Sequence, residues 1–154
     1  MVWPTRETAL LQAFFDQHRI PLFWYDATFN NRKDFHTLPT GSVDALAANQ
    51  CRITTVHLAE PMEIWRGAYE VSFRLCFESE GLLWHLVGGP VLMSHYYQIA
   101  ELQALSFADA VAAAAWKPVV DSLPVLTHAA FCAHLRVMML ALNMSAPTLS
   151  VLYQ

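Results

Sequence analysis

The chain has 154 residues, of which 55% are hydrophobic and only 14% are charged. This length suits a single domain with one core, and so few charges leave some apolar surface, which favours self-association. The nine Lys and Arg residues are spread without a cluster and the net charge is −4, so the chain by itself is a poor nucleic-acid binder.

The cysteines and the N-terminus bear on the compartment. Cys51, Cys76 and Cys132 are far apart and odd in number, which favours a reducing environment. The N-terminus lacks the basic and then apolar sequence of a secretion signal, and no run approaches the roughly eighteen apolar residues that span a bilayer. We therefore expect a cytoplasmic protein with no membrane partner.

The first quarter of the chain predicts a helix and a strand. Thr5 can cap a helix that runs to about His18, with apolar residues at three- and four-residue spacing. Residues 22–26 follow Pro21, are rich in aromatics and predict the first strand, which the polar segment 30–34 closes.

The next segment is less regular. Ser42 can cap a short helix over residues 43–49, and residues 53–58 alternate weakly, which predicts another strand. Residues 61–67 are expected to form either a connection or an edge segment that leads into the next element.

The strongest pattern is a hairpin. Residues 69–78 alternate between apolar and polar side chains, which predicts a half-buried strand. The apolar run that begins at Leu82 predicts a second strand, ended by the sequence Gly88-Gly89-Pro90 because these residues stop regular pairing. The segment 78–81 between them is short, polar and glycine-terminated, so the two strands should pair antiparallel.

Beyond Pro90 the sequence becomes helical. Helices are predicted over 96–105 and 110–116, the second after a capping-box pattern. Thr127 can cap a last long helix, in which four apolar residues form one stripe: Phe131, Leu135, Met138 and Leu142. The chain is thus predicted to be one α+β domain over residues 1–154, a central antiparallel sheet with flanking and C-terminal helices, whose size and order suit the PAS/GAF type.

Motifs for catalysis or metal binding are absent from the sequence. The seven histidines form no HExxH motif, and no carboxylate stands at a zincin spacing. His128 and Cys132, four residues apart on the last predicted helix, could meet on one face, but a helix produces such pairs by accident. The sequence also has no nucleophile elbow and no phosphate-binding loop. We therefore expect no metal, no cofactor and no catalytic residue.

Aromatic residues are concentrated in and beside the predicted sheet. A concave sheet lined with aromatics and a few polar groups suits a small organic ligand, although the same aromatics would equally fill a dry core. The polar members of such a ligand-binding pocket are expected to be the following six residues: Tyr25, His57, Arg66, Tyr69, Arg74 and His85.

The order of several short motifs resembles a known family. The motifs are the aromatic strand 22–26, a strand pair, the sequence 87–91 (Val-Gly-Gly-Pro-Val), a polar helix start at 94–97 and Leu-Pro-Val-Leu at 123–126 before a long helix. Together they resemble the N-terminal sensory domains of certain AraC-family transcriptional regulators of Gram-positive bacteria. The resemblance implies a PAS/GAF-like sensor that acts through a C-terminal pair of helix-turn-helix motifs. Because this chain stops at Gln154, we expect an excised sensor domain or a standalone relative that meets DNA only through a region absent here.

Two main hypotheses follow. The first is a ligand-sensing and dimerisation domain of a bacterial transcription regulator, a homodimer whose small-molecule ligand biases the packing of the C-terminal helices. The second is an acidic, dimeric protein-interaction or chaperone-like module with a filled core and no ligand. A small enzyme on the same scaffold is a weaker third hypothesis, since it requires convergent titratable groups. The amphipathic helices, over residues 10–15 and 131–142, are the expected dimer surfaces.

Overall fold

The computed structural model describes residues 2–37, 61–66, 70–93 and 122–144. Within these ranges the chain forms two helices and six strands, which confirms the predicted α+β class. They are α1 (Thr5–His18), β1 (Leu22–Asp26), β2 (Arg32–Phe35), β3 (Met62–Arg66), β4 (Glu70–Ser79), β5 (Leu82–Met93), β6 (Val125–Leu126) and α2 (His128–Ala141). The elements predicted over 43–49, 53–58, 96–105 and 110–116 lie outside the described residues.

All six strands belong to one sheet with β5 near its centre. Five strands pair antiparallel in the order β2-β1-β5-β4-β3. Residues 84–88 of β5 pair with β1, and its last two residues, Leu92 and Met93, pair parallel with β6. The long strand β5 therefore joins the beginning of the domain to the segment that leads into α2.

The predicted hairpin is confirmed. Ser79 at the end of β4 faces Leu82 at the start of β5, and only Glu80 and Gly81 lie between them. Both residues have positive φ, 55° and 75°. Positive φ at both central positions is typical of the two-residue turn that matches the right-handed twist of paired strands.

The prediction that β5 ends at the glycines and proline is wrong. Phe73 faces Gly88 and Val71 faces Val91, so β5 has one residue more than β4 in this interval and forms a β-bulge. A bulge tolerates Pro90 because its residues partly leave the hydrogen-bonded ladder. Gly88 lies directly against the Phe73 ring, where an added Cβ would overlap it. The glycines therefore allow close packing within the strand.

The N-terminal strands differ from prediction at one point. The polar segment 30–34 does not simply close β1, because Arg32–Phe35 is itself a strand that pairs with β1. Its charged residues Arg32 and Asp34 form an ion pair, with Nε and Oδ1 2.7 Å apart. Of the segment 61–67, residues 62–66 form β3, which is the last of the described strands on its side of the sheet, as the edge-segment alternative predicts.

The two helices have about the predicted extents, and one of the two predicted caps is present. Pro4, and not Thr5, is the N-cap of α1, and no side chain caps it. At α2 the Thr127 hydroxyl accepts a hydrogen bond from the amide of Ala130 at 3.1 Å, so the predicted cap is confirmed. No helix among the described residues has the length and apolar character needed to cross a bilayer.

One face of the sheet, here called the helix face, packs against α1 and α2. It presents alternate residues of β1, β4 and β5, among them Trp24, Phe73 and Trp84, which share one apolar cluster with both helices. The rings of Phe73 and Phe131 of α2 lie 6.0 Å apart between centroids. All four predicted stripe residues of α2 are buried within the chain. They are therefore unavailable to a second copy, so a dimer surface on this helix can use only its other residues.

The opposite face, here called the polar face, is buried as well. Phe23 and Val87 on this face are fully buried, and every residue of β4 from Val71 to Leu75 is buried. The prediction of a half-buried strand over 69–78 is therefore wrong for its middle. Alternation along β4 separates apolar from polar side chains, but it does not separate buried from exposed ones.

Candidate functional site

Four neighbouring strands bring polar side chains together on the polar face. Tyr25 of β1 faces His85 of β5, and Glu63 of β3 faces Arg74 of β4. Tyr25, Arg74 and His85 are between 0% and 3% exposed, and the Glu63 side chain is 10% exposed. These four residues, named the polar cluster from here on, are buried because alternation directs them to a covered face.

An ion pair lies in the polar cluster. Nη2 of Arg74 donates to Oε1 of Glu63 at 3.0 Å. Burying either charge alone would cost several kcal/mol or more, and the contact between the two offsets part of that cost. In the described part of the chain, the second oxygen of Glu63, Oε2, is buried without a hydrogen-bond partner.

The geometry around Arg74 fixes the state of His85. Nη1 of Arg74 and Nδ1 of His85 are 3.4 Å apart. Since a guanidinium can only donate, Nδ1 is the accepting nitrogen and the ring proton is assigned to Nε2. Burial, helped by the positive charge of Arg74 and opposed by Asp26, lowers the pKa of His85 from 6.5 to about 4. His85 is therefore neutral at pH 7.

Phe29, in the loop between β1 and β2, covers the cluster from the solvent side. Its ring stacks on that of His85 with centroids 4.5 Å apart and an angle of 21°, and it lies 5.0 Å from the Tyr25 ring. Phe29 is itself half-exposed and has a φ of 60°, an uncommon value for a residue with a side chain. Among the described residues, Phe29 thus covers one side of the His85 ring.

Asp26 holds the loop in this conformation. Its carboxylate accepts hydrogen bonds from the Thr28 hydroxyl, from the backbone amides of Asn30 and Asn31, and from the Asn31 side chain, at 2.9 to 3.2 Å. Burial by itself would raise the pKa of Asp26, but these hydrogen bonds outweigh it and lower the pKa. The ionised carboxylate therefore holds the loop residues 28–31 in place through these hydrogen bonds.

Cys76 faces His85 across β4 and β5. Burial raises the pKa of the Cys76 thiol, and the nearby charge of Arg74 only partly opposes this. The thiol therefore stays protonated near neutral pH, where it is a weak nucleophile. Its place beside the imidazole does not amount to a Cys-His catalytic pair.

The structure brings together three of the six predicted pocket residues: Tyr25, Arg74 and His85. His57 and Tyr69 lie outside the described residues. Arg66 is the last residue of β3, and its side chain is outside the described part of the chain.

Two residues of the site, Glu63 and Phe29, were not predicted. The alternation of residues 62–65 (Met-Glu-Ile-Trp) was available in the sequence and would have indicated a strand with Glu63 on its polar side. Opposite charges favour facing positions on adjacent strands, so Arg74 was a natural partner. The position of Phe29 over His85 depends on the conformation of the turn around Asp26. The sequence predicts a loop there but not its conformation.

Histidines also meet elsewhere in the described structure. His128 and Cys132, which the helical spacing allowed to meet, do so on α2, where Cys132 Sγ and His128 Nε2 are 3.5 Å apart. Cys132 is buried. The rings of His18 and His134 lie 3.9 Å apart between α1 and α2, and burial together with His18 lowers the pKa of His134. Among the described residues, no three histidine, cysteine or acidic side chains gather where they could hold a metal ion.

No protein-family model, no curated protein and no solved structure matches this chain. What it does must therefore be inferred from its own residues, and the polar cluster is the feature of the described structure that packing alone does not explain.

Proposed function

We propose that the chain is the ligand-sensing and dimerisation domain of a bacterial transcription regulator, with a small molecule bound at the polar face of the sheet. The observation that carries this proposal is the burial of Arg74, Glu63 and His85 among aromatic side chains. Apolar residues of similar volume would stabilise the sheet at least as well as a buried ion pair. Buried titratable groups with specific charge partners are concentrated at binding sites.

The architecture supports a PAS/GAF-like sensor. An antiparallel sheet has its helices on one face, and the opposite face carries polar and aromatic groups. The family resemblance of the sequence points to the same kind of domain. DNA would be contacted through a further region, since the chain is acidic and has few basic residues.

The strand β5 provides a route from the ligand to the C-terminal helix. His85 lies in its first half, and at its end the amide of Leu92 donates to the carbonyl of Pro124 at 2.9 Å. Pro124 stands three residues before Thr127, the cap of α2. Suppose that β5 and α2 have two coupled arrangements. A ligand that binds one arrangement more tightly than the other then shifts the equilibrium between them by the difference in its binding free energies.

Native mass spectrometry of the full chain purified from its own host tests this proposal. We expect a dimer that carries an added small mass, which is lost on denaturation. Arg74→Met should lose that mass, whereas Arg136→Met, at an exposed position of α2, should keep it. A dimer without added mass, together with no thermal shift across a metabolite panel, would contradict ligand sensing.

Exposed apolar side chains favour a second candidate, a protein-interaction module. Leu82 and Leu83 at the hairpin tip are 58% and 47% exposed, and Val137 and Leu140 on the outer side of α2 are 58% and 59% exposed. Such residues occur at interaction surfaces. If this candidate is right, the same measurement will show a complex with protein and no small ligand.

A further inference from the structure

The charges of the polar face are balanced before any ligand binds. Arg74 is paired with Glu63, and Arg32 of β2 is paired with Asp34 on the same face. Among the described residues of this face, each arginine thus already contacts a carboxylate. His85 adds no charge, because its Nδ1 accepts from Arg74 and the imidazole is neutral.

The other charged side chains that the described residues place on this face are carboxylates. Alternation along β4 places Glu70 and Glu78 on the same side as Arg74. A buried arginine alone would indicate an anion site, but here the guanidinium charge is neutralised and further carboxylates stand on the same strand. An anionic ligand would have to break the ion pair or lie near these negative charges.

The carboxylate of Glu63 has an oxygen that can still accept a hydrogen bond. Oε2 of Glu63 is a buried carboxylate oxygen that lacks a partner in the described part of the chain, and leaving such an oxygen unsatisfied is unfavourable. Trp65 follows Glu63 by two residues on β3 and therefore shares its face, and Phe23, Tyr25 and Phe29 add further rings.

We propose that the polar face takes an uncharged aromatic ligand that carries a hydroxyl or N–H donor, such as a phenol or a carboxamide, and that this donor binds Oε2 of Glu63. This inference rests on the proposed ligand-sensing function and specifies its ligand class. Glu63 is then the specificity-determining residue, and Arg74 holds its carboxylate in place.

The test uses the full chain, labelled with ¹⁵N, and a library of aromatic fragments in matched sets. Each set contains a carboxamide or phenol, the corresponding carboxylate and the corresponding methyl ester. We expect the neutral donors to shift the signals of Arg74 and His85 and to bind at least about tenfold tighter than the carboxylates and esters, the effect of one good hydrogen bond.

Glu63→Gln should reverse this order, because it removes the partner charge of Arg74 and leaves a cation that attracts carboxylates. The melting temperature of Glu63→Gln should then rise with benzoate, while that of the unsubstituted protein should not. Glu78→Gln, an exposed position at the end of β4, is the matched control and should keep the original order.

The inference is overturned, with ligand sensing intact, if carboxylates bind the unsubstituted protein more tightly than neutral donors. It is equally overturned if Glu63→Gln leaves the order unchanged and gains no stability from benzoate. If no fragment of any charge shifts the Arg74 and His85 signals, the polar face is not a ligand site and the proposed function itself fails.

Discussion

Arg74 and Glu63 each depend on the other for their burial. A single substitution leaves one charge buried without compensation, which costs about 3–5 kcal/mol, whereas removing both charges can be neutral or stabilising. We therefore expect Glu63→Leu and Arg74→Met to lower the free energy of unfolding strongly, and the double variant to recover most of the loss. Urea unfolding of the four proteins measures this coupling.

The ion pair between Arg32 and Asp34 provides a comparison for this double-mutant cycle of Arg74 and Glu63. Its side chains are 28% and 21% exposed, so solvent screens their charges more than those of Arg74 and Glu63. The same cycle at Arg32 and Asp34 should give a smaller coupling. Equal couplings would mean that burial is not what makes the Arg74–Glu63 pair special.

His85 makes stability depend on pH. Its pKa in the folded chain, about 4, lies below the ordinary value of 6.5, so the unfolded chain binds the proton first as the pH falls. The stabilisation is complete above pH 6.5 and disappears as the pH falls toward 4, a loss of about 3 kcal/mol. Urea unfolding between pH 4 and 7.5 should show this slope, and His85→Gln should flatten it.

His134 contributes to the same pH range because burial also lowers its pKa. His134→Gln is therefore the control, and it should reduce the slope less than His85→Gln does, since His134 is less buried. A slope in His85→Gln equal to that of the original chain would show that His85 already titrates normally when folded.

Within β5, Gly88 sets how closely the strand approaches β4. A methyl group there would overlap the Phe73 ring, so we expect Gly88→Ala to lower the free energy of unfolding by about 1–3 kcal/mol. A smaller side chain opposite should make room, and Phe73→Leu should cost less in the Gly88→Ala background than alone. Urea unfolding of the single and double variants gives this difference.

Gly81 in the hairpin turn is the matched control. Apart from its chain neighbours, no atom of the described residues lies within 4 Å of an added Cβ, and its φ of 75° is what disfavours alanine. Gly81→Ala should therefore lower the free energy of unfolding by about 1 kcal/mol, and this loss should be the same with Phe73 or with Phe73→Leu. If Phe73→Leu relieved both glycine variants equally, the contact at Gly88 would not be the cause.

Regular elements were predictable where local chemistry determines them. β1, the β4–β5 hairpin and α2 with its Thr127 cap follow from aromatic content, alternation, turn residues and helical spacing. Three of the candidate site residues were predictable for the same reason, because alternation assigns Tyr25, Arg74 and His85 to faces of their strands.

Features that depend on contacts between distant segments were not predictable. Strand β2 is polar, and its pairing depends on β1 and on the ion pair between Arg32 and Asp34. The continuation of β5 past Pro90 depends on a bulge opposite β4. The burial of Arg74 depends on the register of β3 and β4 that places it opposite Glu63. Alternation assigns both residues to a face of their strands, but it does not fix that register.

At the scale of the whole molecule, α1, the sheet and α2 share one apolar cluster. We therefore expect a single cooperative transition in guanidinium, with tryptophan fluorescence and far-UV circular dichroism giving the same midpoint. Trp24 and Trp84 report on the sheet, and circular dichroism reports on the helices. Phe131→Ala leaves a cavity beside Phe73 and should lower the free energy of unfolding by about 3–5 kcal/mol. Both midpoints should then fall to lower guanidinium concentration by the same amount.

Separate midpoints for the two probes would contradict this expectation and would show that α2 detaches while the sheet stays folded. The Arg6 side chain, which donates to the Ala141 carbonyl at 2.8 Å, is an exposed link between α1 and α2. Arg6→Ala should leave the coincidence of the two midpoints unchanged, because the apolar cluster does not depend on that link.

The alternation along β4 also bears on how this protein can change over generations. Val71, Phe73 and Leu75 pack against the core, while Ser72, Arg74 and Cys76 face the polar side of the same strand. Selection for the apolar core and selection for a particular ligand therefore act on interleaved codons. Under the proposed function, a lineage that acquires a new ligand through the even-numbered positions inherits the apolar residues of the odd-numbered ones, but it must change Arg74 and Glu63 together because each depends on the other.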